Sequence, residues 1–179
     1  MGVWPPLFGW DFLVYRRHAT VGPRPLMKRI DVAIAVVVRA GRILICQRKP
    51  GDTFGGFWEF PGGKCEGGES PEACLARELR EELDITPGVT EKLVPISHDY
   101  PHVRLTLHPF LCTEFSGEPK LIECQRLQWV EPAKLRDFRF PPANAGLLDE
   151  LVRRLSPPVP LATPSTEAAP ASADGSCKN

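Results

Sequence analysis

Residues 61–85 read PGGKCEGGESPEACLARELREELDI, and the spacing of the glycines and acids in this stretch decides the fold. Ser70 followed by Pro71 marks a helix start: a hydroxyl at the N-cap satisfies an orphan amide, and a proline in the first helical position has no amide to satisfy. The helix carries the acidic cluster and stops at Asp84, a residue type that tolerates the left-handed conformation of a helix end. Leu75, Leu79 and Leu83 recur every four residues and make an apolar stripe able to pack on a core. Glu78, Glu81 and Glu82 lie at i, i+3 and i+4, so three carboxylates share a neighbouring patch. Crowded like charges call for a cation, and hard oxygen donors suit Mg2+ or Mn2+ better than a thiolate-preferring metal.

Taken alone, an acidic run also describes a solvated helix face, on which Arg77 pairs with Glu81 four residues on. The turn Pro61-Gly62-Gly63 and the isolated Glu69 set this stretch apart. Such a turn lets backbone carbonyls and amides approach a metal or phosphate closely, which a solvated helix does not require.

The order Gly63, five residues, Glu69, seven residues, Arg77-Glu78, then Glu81-Glu82 resembles the signature of the Nudix hydrolases, which cleave phosphoanhydrides. The resemblance implies an α/β fold, the Nudix α/β/α sandwich with a mixed sheet flanked by helices, over residues 27–155. It implies Glu78 and Glu82 as the firmest metal ligands, a glycine carbonyl at Gly62-Gly63 as another, and Glu81 in metal or water positioning. Arg77 would orient a glutamate through a salt bridge, and Glu69 would brace the loop. Asp84 departs from the family pattern, which usually has glycine there, with little functional loss expected.

Length and composition agree with one small enzyme. The 179 residues suit a single domain, 42% hydrophobic content supports a packed core, and no apolar run is long enough to span a membrane. Charge balances at 22 against 22, which argues against a surface that coats nucleic acid and permits a small nucleotide site. The substrate is expected to be free and not polymeric; the resemblance implies a nucleoside triphosphate, and the expected state is a monomer. Cysteines 46, 65, 74, 112, 124 and 177 show no paired zinc spacing and read as reduced residues of a cytoplasmic protein. Residues 1–26 mix aromatics, prolines and charges without a secretory leader's pattern, and read as a disordered extension or a misassigned start before Met27. Residues 156–179 read as a flexible tail rich in Pro, Ala, Ser and Thr.

Around the motif, Asp31 to Val38 and Ile43 to Gln47 form a probable hairpin about Arg39-Ala40-Gly41-Arg42. Trp58-Glu59-Phe60 reads as a short strand feeding the glycine turn. Val103 to Phe115 and Leu121 to Trp129 supply further strands, and Leu147, Leu148, Leu151 and Leu155 mark a second helix from about Ala143 to Leu155.

Three further segments resemble the MutT branch of the family: Met27-Lys28-Arg29-Ile30, Trp58 to Lys64, and Phe140-Pro141-Pro142-Ala143-Asn144. On its own the last could be mere punctuation before a helix. This branch hydrolyses 8-oxo-dGTP to 8-oxo-dGMP and pyrophosphate. The resemblance places Arg48 near the nucleotide, Glu59 and Phe60 along the base pocket, and Asn144 on the base itself. Gln128 stands where that branch has an acidic metal-site residue, and Thr53 where it has a nucleotide-contacting histidine. A neutral Gln cannot act as a general base, so the base must come from the helix or from a carboxylate the sequence does not place. Hydrolysis of other nucleoside triphosphates or nucleoside diphosphate derivatives is the alternative. A noncatalytic binding module is expected to lack the signature carboxylates, and all three are present.

Overall fold

The computed structural model describes residues 27–156; the readings for residues 1–26 and for the tail beyond Ser156 fall outside it. Strands β1 (Lys28–Arg39) and β2 (Arg42–Gln47) form the expected hairpin. Ala40 and Gly41 turn it at φ 49° and 72°, the two consecutive positive values that match a tight turn to strand twist. Strand β3 (Trp58–Glu59) pairs with β2, and β4 (Gly62–Lys64) folds back antiparallel onto β1. Helix α1 (Pro71–Leu83) follows, then β5 (Thr86–Pro87), β6 (Thr90–Lys92), β7 (Ile96–Tyr100), β8 (Val103–Cys112), β9 (Phe115–Ser116), β10 (Arg126–Val130) and α2 (Ala145–Leu155). The main sheet runs β10-β2-β1-β8-β6, with β1 and β8 parallel and the other pairs antiparallel. It is therefore mixed, as expected.

Alternation along β1 divides the core in two. Ala33, Ala35 and Val37 face α1, where Leu75, Leu79 and Leu83 are buried together with Leu44, Cys46 and Phe110. Ile34 and Val36 face the other way, onto Phe60, Leu107, Leu135, Leu147 and Leu151. Burial on both faces explains the nearly continuous apolar run of β1, and the helices cover the sheet as a sandwich.

Three local readings are corrected. Residues 121–125 are irregular, with Leu121 and Ile122 exposed at 55% and 48%, and the strand begins only at Arg126. The second helix starts at Ala145, because Pro142–Asn144 form a 3-10 turn ahead of it. Strands β5, β6, β7 and β9 were not expected; β7 is a polar edge strand whose pattern (Ile96-Ser97-His98-Asp99-Tyr100) offers little apolar signal.

Strand β4 lies so close to β1 that Gly62 is obligatory. Gly62 sits at φ +134°, and a Cβ there would stand 2.2 Å from the Ala33 carbonyl oxygen, a backbone atom that cannot step aside. Gly62→Ala is expected to destabilise by about 3 kcal/mol, from backbone strain and overpacking together. A thermal midpoint about 10 °C lower would show it.

Candidate active site

The cap chemistry read from the sequence is what orients α1. The Ser70 hydroxyl accepts the Ala73 amide at 3.2 Å, and Asp84 ends the helix at φ 56°, ψ 36° with its amide on the last carbonyls. With the leucine stripe fixed in the core, Glu78, Glu81 and Glu82 are turned toward the glycine turn and the loop that follows it.

Arg77 organises that region. Its Nε and Nη2 donate to the two oxygens of Glu69 at 3.1 and 2.9 Å, a two-pronged pairing that closes the 64–70 loop onto the helix. Nη2 also donates to the Lys64 carbonyl, while Nη1 donates to Glu78 at 2.9 Å and to Glu81 at 3.1 Å. Glu69 in turn accepts the Glu66 amide at 3.1 Å. Glu69 is thus a brace, and Arg77 steers two glutamates. Lysine has no planar fork and cannot hold Glu69, Glu78 and Glu81 together. Arg77→Lys should leave the fold intact and lower turnover roughly tenfold to a hundredfold, the range for losing an outer partner of a metal ligand; kinetics alongside circular dichroism would check it.

The glycines make room for the acids. The Gly62 amide donates to Glu82 Oε2 at 2.9 Å. A Cβ on Gly63 would lie 2.4 Å from the Glu78 carboxyl, so a side chain there would fill the space that the carboxylate occupies. Burial pushes the Glu82 carboxyl well above its ordinary range; the Gly62 amide opposes this, and Glu59, Glu78 and Glu123 add to it. Burial likewise raises Glu78, with Arg77 opposing and Glu81 and Glu123 reinforcing. Several acids therefore share one local field, with Arg77 the cation paired with Glu78 and Glu81.

Glu123 is the residue that sequence reasoning missed. It is exposed on the irregular 121–125 segment, yet its charge acts on both Glu78 and Glu82. Gln128 does not stand with them: Leu127 and Trp129 pack on the α1 side of the sheet, so the alternating side chain of Gln128 points to the opposite side. The flanking apolar residues were the available signal. The further acid whose charge adds to Glu78 and Glu82 lies on the segment before β10.

The donor set fits a hard divalent cation. Among the described residues no three ligating side chains form a ready-made cage; Glu78 and Glu81 are tied to Arg77 and Glu82 to the Gly62 amide. What fits is the chemistry: carboxylate oxygens under mutual repulsion, partly desolvated beside a glycine turn, gain most from a cation with oxygen preference.

Glu59 and Phe60 point to opposite sides of β3. Glu59 pairs with Arg48, burial raises its carboxyl against that pairing, and its charge reaches Glu82. Arg48 Nε also donates to the Thr53 carbonyl at 2.7 Å, so Thr53 contributes backbone to this loop. Phe60 is buried against Phe140, ring centroids 5.2 Å apart, and the Trp58 amide donates to the Arg139 carbonyl at 2.8 Å. These contacts tie the 139–144 segment to β3. Asn144 is buried at the start of α2, and its side chain makes no capping hydrogen bond there.

Comparison with known proteins agrees with this geometry. The NUDIX domain family model matches residues 33–150. The chain is 39% identical over 126 residues to the 8-oxo-dGTP diphosphatase of Haemophilus influenzae, covering 70% of this chain and 93% of that protein. It is 37% identical over 123 residues to the CTP pyrophosphohydrolase of Escherichia coli, covering 69% and 91%. A MutT structure from work on the Aliivibrio salmonicida and Vibrio cholerae proteins superposes with a TM-score of 0.61 at 37% identity, covering 70% of this chain and 98% of that one. With the signature acids, the glycine turn and the sandwich all in place, the chain belongs to the Nudix hydrolase family.

Proposed function

We propose that the protein is a MutT-like nucleoside triphosphate pyrophosphohydrolase that converts 8-oxo-dGTP to 8-oxo-dGMP and pyrophosphate and so clears oxidised guanine from the nucleotide pool. The observation that carries this is a buried Asn144, its side chain free of any capping bond, on a segment whose Phe140 stacks on Phe60, two residues ahead of the Gly62 amide that holds Glu82. The 8-oxo-dGTP diphosphatase of H. influenzae supports it at 39% identity.

The chain's own residues divide the work. Glu78, Glu82 and the Gly62 carbonyl would hold Mg2+, or Mn2+ in its place, with Glu81 and Glu123 beside them. The cation would neutralise phosphate charge and lower the pKa of bound water. Glu123 supplies an exposed carboxylate able to accept a proton, which Gln128 could not. Arg77 keeps Glu78 and Glu81 oriented, and Arg48 offers a cation beside Glu59 on the phosphate side of β3. On the base side, Phe60 and Phe140 form an apolar wall. The Asn144 amide presents an acceptor to the hydrogen that 8-oxoguanine carries on N7 and a donor to O6. Guanine has a bare N7 acceptor and is repelled at that point.

Among the described residues no helix is long and apolar enough to cross a membrane, and all five described cysteines are free. We read the protein as a monomer working in the cytoplasm on free nucleotides. A second reading, pyrophosphohydrolysis of CTP, is favoured by the 37% identity to the E. coli CTP pyrophosphohydrolase and by Thr53 in place of a histidine. A screen of nucleoside triphosphates with Mg2+ and identification of both products separates the two. Monophosphate and pyrophosphate from 8-oxo-dGTP support the first reading, and faster turnover of CTP replaces it with the second.

A further inference from the structure

The mechanism above uses no cysteine, yet one pair of thiols spans the sheet and the segment that carries Glu123. Cys46 is buried on β2 among the residues facing α1, and its partner across the ladder is Leu127 of β10. Ahead of β10 the chain stays on β2, with the Gln125 amide donating to the Gln47 carbonyl at 2.8 Å. Cys124, half-buried and packed against the same apolar cluster, is thereby brought back over Cys46. Both thiols lie against the same α1-side cluster and act on each other's ionisation, raising Cys46 and lowering Cys124, and the Cys124 thiol donates to the Arg126 carbonyl at 3.5 Å. Cys46 is within electrostatic reach of Glu82 and Glu59, and Cys124 directly follows Glu123.

We propose that Cys46 and Cys124 are an oxidation site, in which a hydroperoxide links them as a disulfide that draws the 121–125 segment onto β2 and displaces Glu123. In the first step the half-exposed Cys124 sulfur, as thiolate, attacks a peroxide oxygen. The O–O bond breaks, and with hydrogen peroxide the products are a sulfenic acid and, after protonation, water. In the second step the Cys46 sulfur attacks the Cys124 sulfur, the S–O bond breaks, and the departing hydroxide takes the Cys46 proton as water. Two thiols are oxidised and one peroxide is reduced to two waters. Two unbonded sulfurs become joined at about 2 Å, so the segment must move inward. A misplacement of about 1 Å at a reacting site can cost on the order of a hundredfold in rate.

Cys65 and Cys74 provide an internal comparison. They too pair a half-buried with a buried thiol, but burial pushes the Cys65 thiol up, which disfavours an attacking thiolate there, and the Cys74 thiol donates to the Gly63 carbonyl at 3.5 Å. The proposal relies on the hydrolase reading only for its activity readout. The full-length reduced protein is treated with hydrogen peroxide, mapped for linked peptides without reduction, and assayed with Mg2+ on its best nucleotide substrate. We expect a Cys46–Cys124 linked peptide, a drop in turnover of about tenfold or more, and recovery with dithiothreitol. Cys124→Ser should give neither the link nor the reversible drop, and Cys65→Ser should retain both. Absence of the linked peptide, a link formed with turnover unchanged, or a reversible drop that persists in Cys124→Ser overturns the proposal. A reduced protein without nucleotide hydrolysis would instead refute the enzymatic reading, while the peptide map still decides whether the thiols join.

Discussion

Glu82→Gln is expected to lower Mg2+-dependent turnover by more than about a hundredfold while raising the thermal midpoint of the metal-free protein. The loss is large because losing only an outer partner of a metal ligand already costs about ten- to a hundredfold, and Glu82 is assigned to the ligand set itself. The fold should survive, since a Gln Oε1 can still accept the Gly62 amide that Glu82 holds at 2.9 Å. The gain in stability follows from linkage. Burial, with Glu59, Glu78 and Glu123 adding to it, raises the Glu82 carboxyl in the folded state above its ordinary value of 4.5. The folded protein therefore binds this proton more tightly than the unfolded chain, so its stabilising effect is complete below pH 4.5 and disappears as pH rises through the raised value. Above pH 4.5 the wild-type group loses this stabilising effect progressively and its burial costs stability, and the Gln carries no such cost. In chelator the variant should melt higher at pH 7.5 and converge with wild type near pH 4.5, and Mg2+ should raise the wild-type midpoint more. Full activity in the folded variant would remove Glu82 from the ligand set.

Asn144→Ala should damage selectivity before chemistry. Its amide is buried at the start of α2, without a capping role there, so removing it leaves the helix start supported by the backbone turn through the Asn144 amide and the Pro141 carbonyl. On the proposed reading, what disappears is the acceptor for the N7 hydrogen of an oxidised guanine. A buried polar group left unpaired costs roughly 1 to 3 kcal/mol, equivalent to about ten- to a hundredfold in relative kcat/KM. The substitution should therefore lower kcat/KM on 8-oxo-dGTP by that factor and on dGTP by much less, with Mg2+ dependence unchanged. Equal losses on both nucleotides would show that Asn144 does not read the base.

Helix α1, which carries Glu82, was legible because its signals are local. Ser70, Pro71 and Asp84 mark its ends, and the leucine spacing fixes which side is buried. The β1–β2 hairpin was legible for the same reason, from an apolar run broken by Ala40-Gly41. Glu123 was not legible, because the exposed Leu121 and Ile122 before it imitate a strand, and only the closing of β10 onto β2 brings its charge to α1. The resemblance aligns Gln128 with an acidic metal-site position, although the apolar Leu127 and Trp129 beside it indicate that it faces away. Likewise, Glu59 and Phe60 are adjacent in sequence but serve opposite sides of β3, which strand alternation dictates once β3 is placed against β2.

The most direct measurement is a competition between 8-oxo-dGTP and dGTP for the wild-type protein in Mg2+, followed through the two monophosphate products at equal substrate concentrations. We expect 8-oxo-dGMP to form first, with a kcat/KM ratio above about tenfold from the N7 contact alone, and formation of both products to stop in chelator. Equal rates for the two nucleotides would contradict oxidised-guanine recognition, and hydrolysis that continues without divalent metal would contradict the role given to the carboxylates of α1.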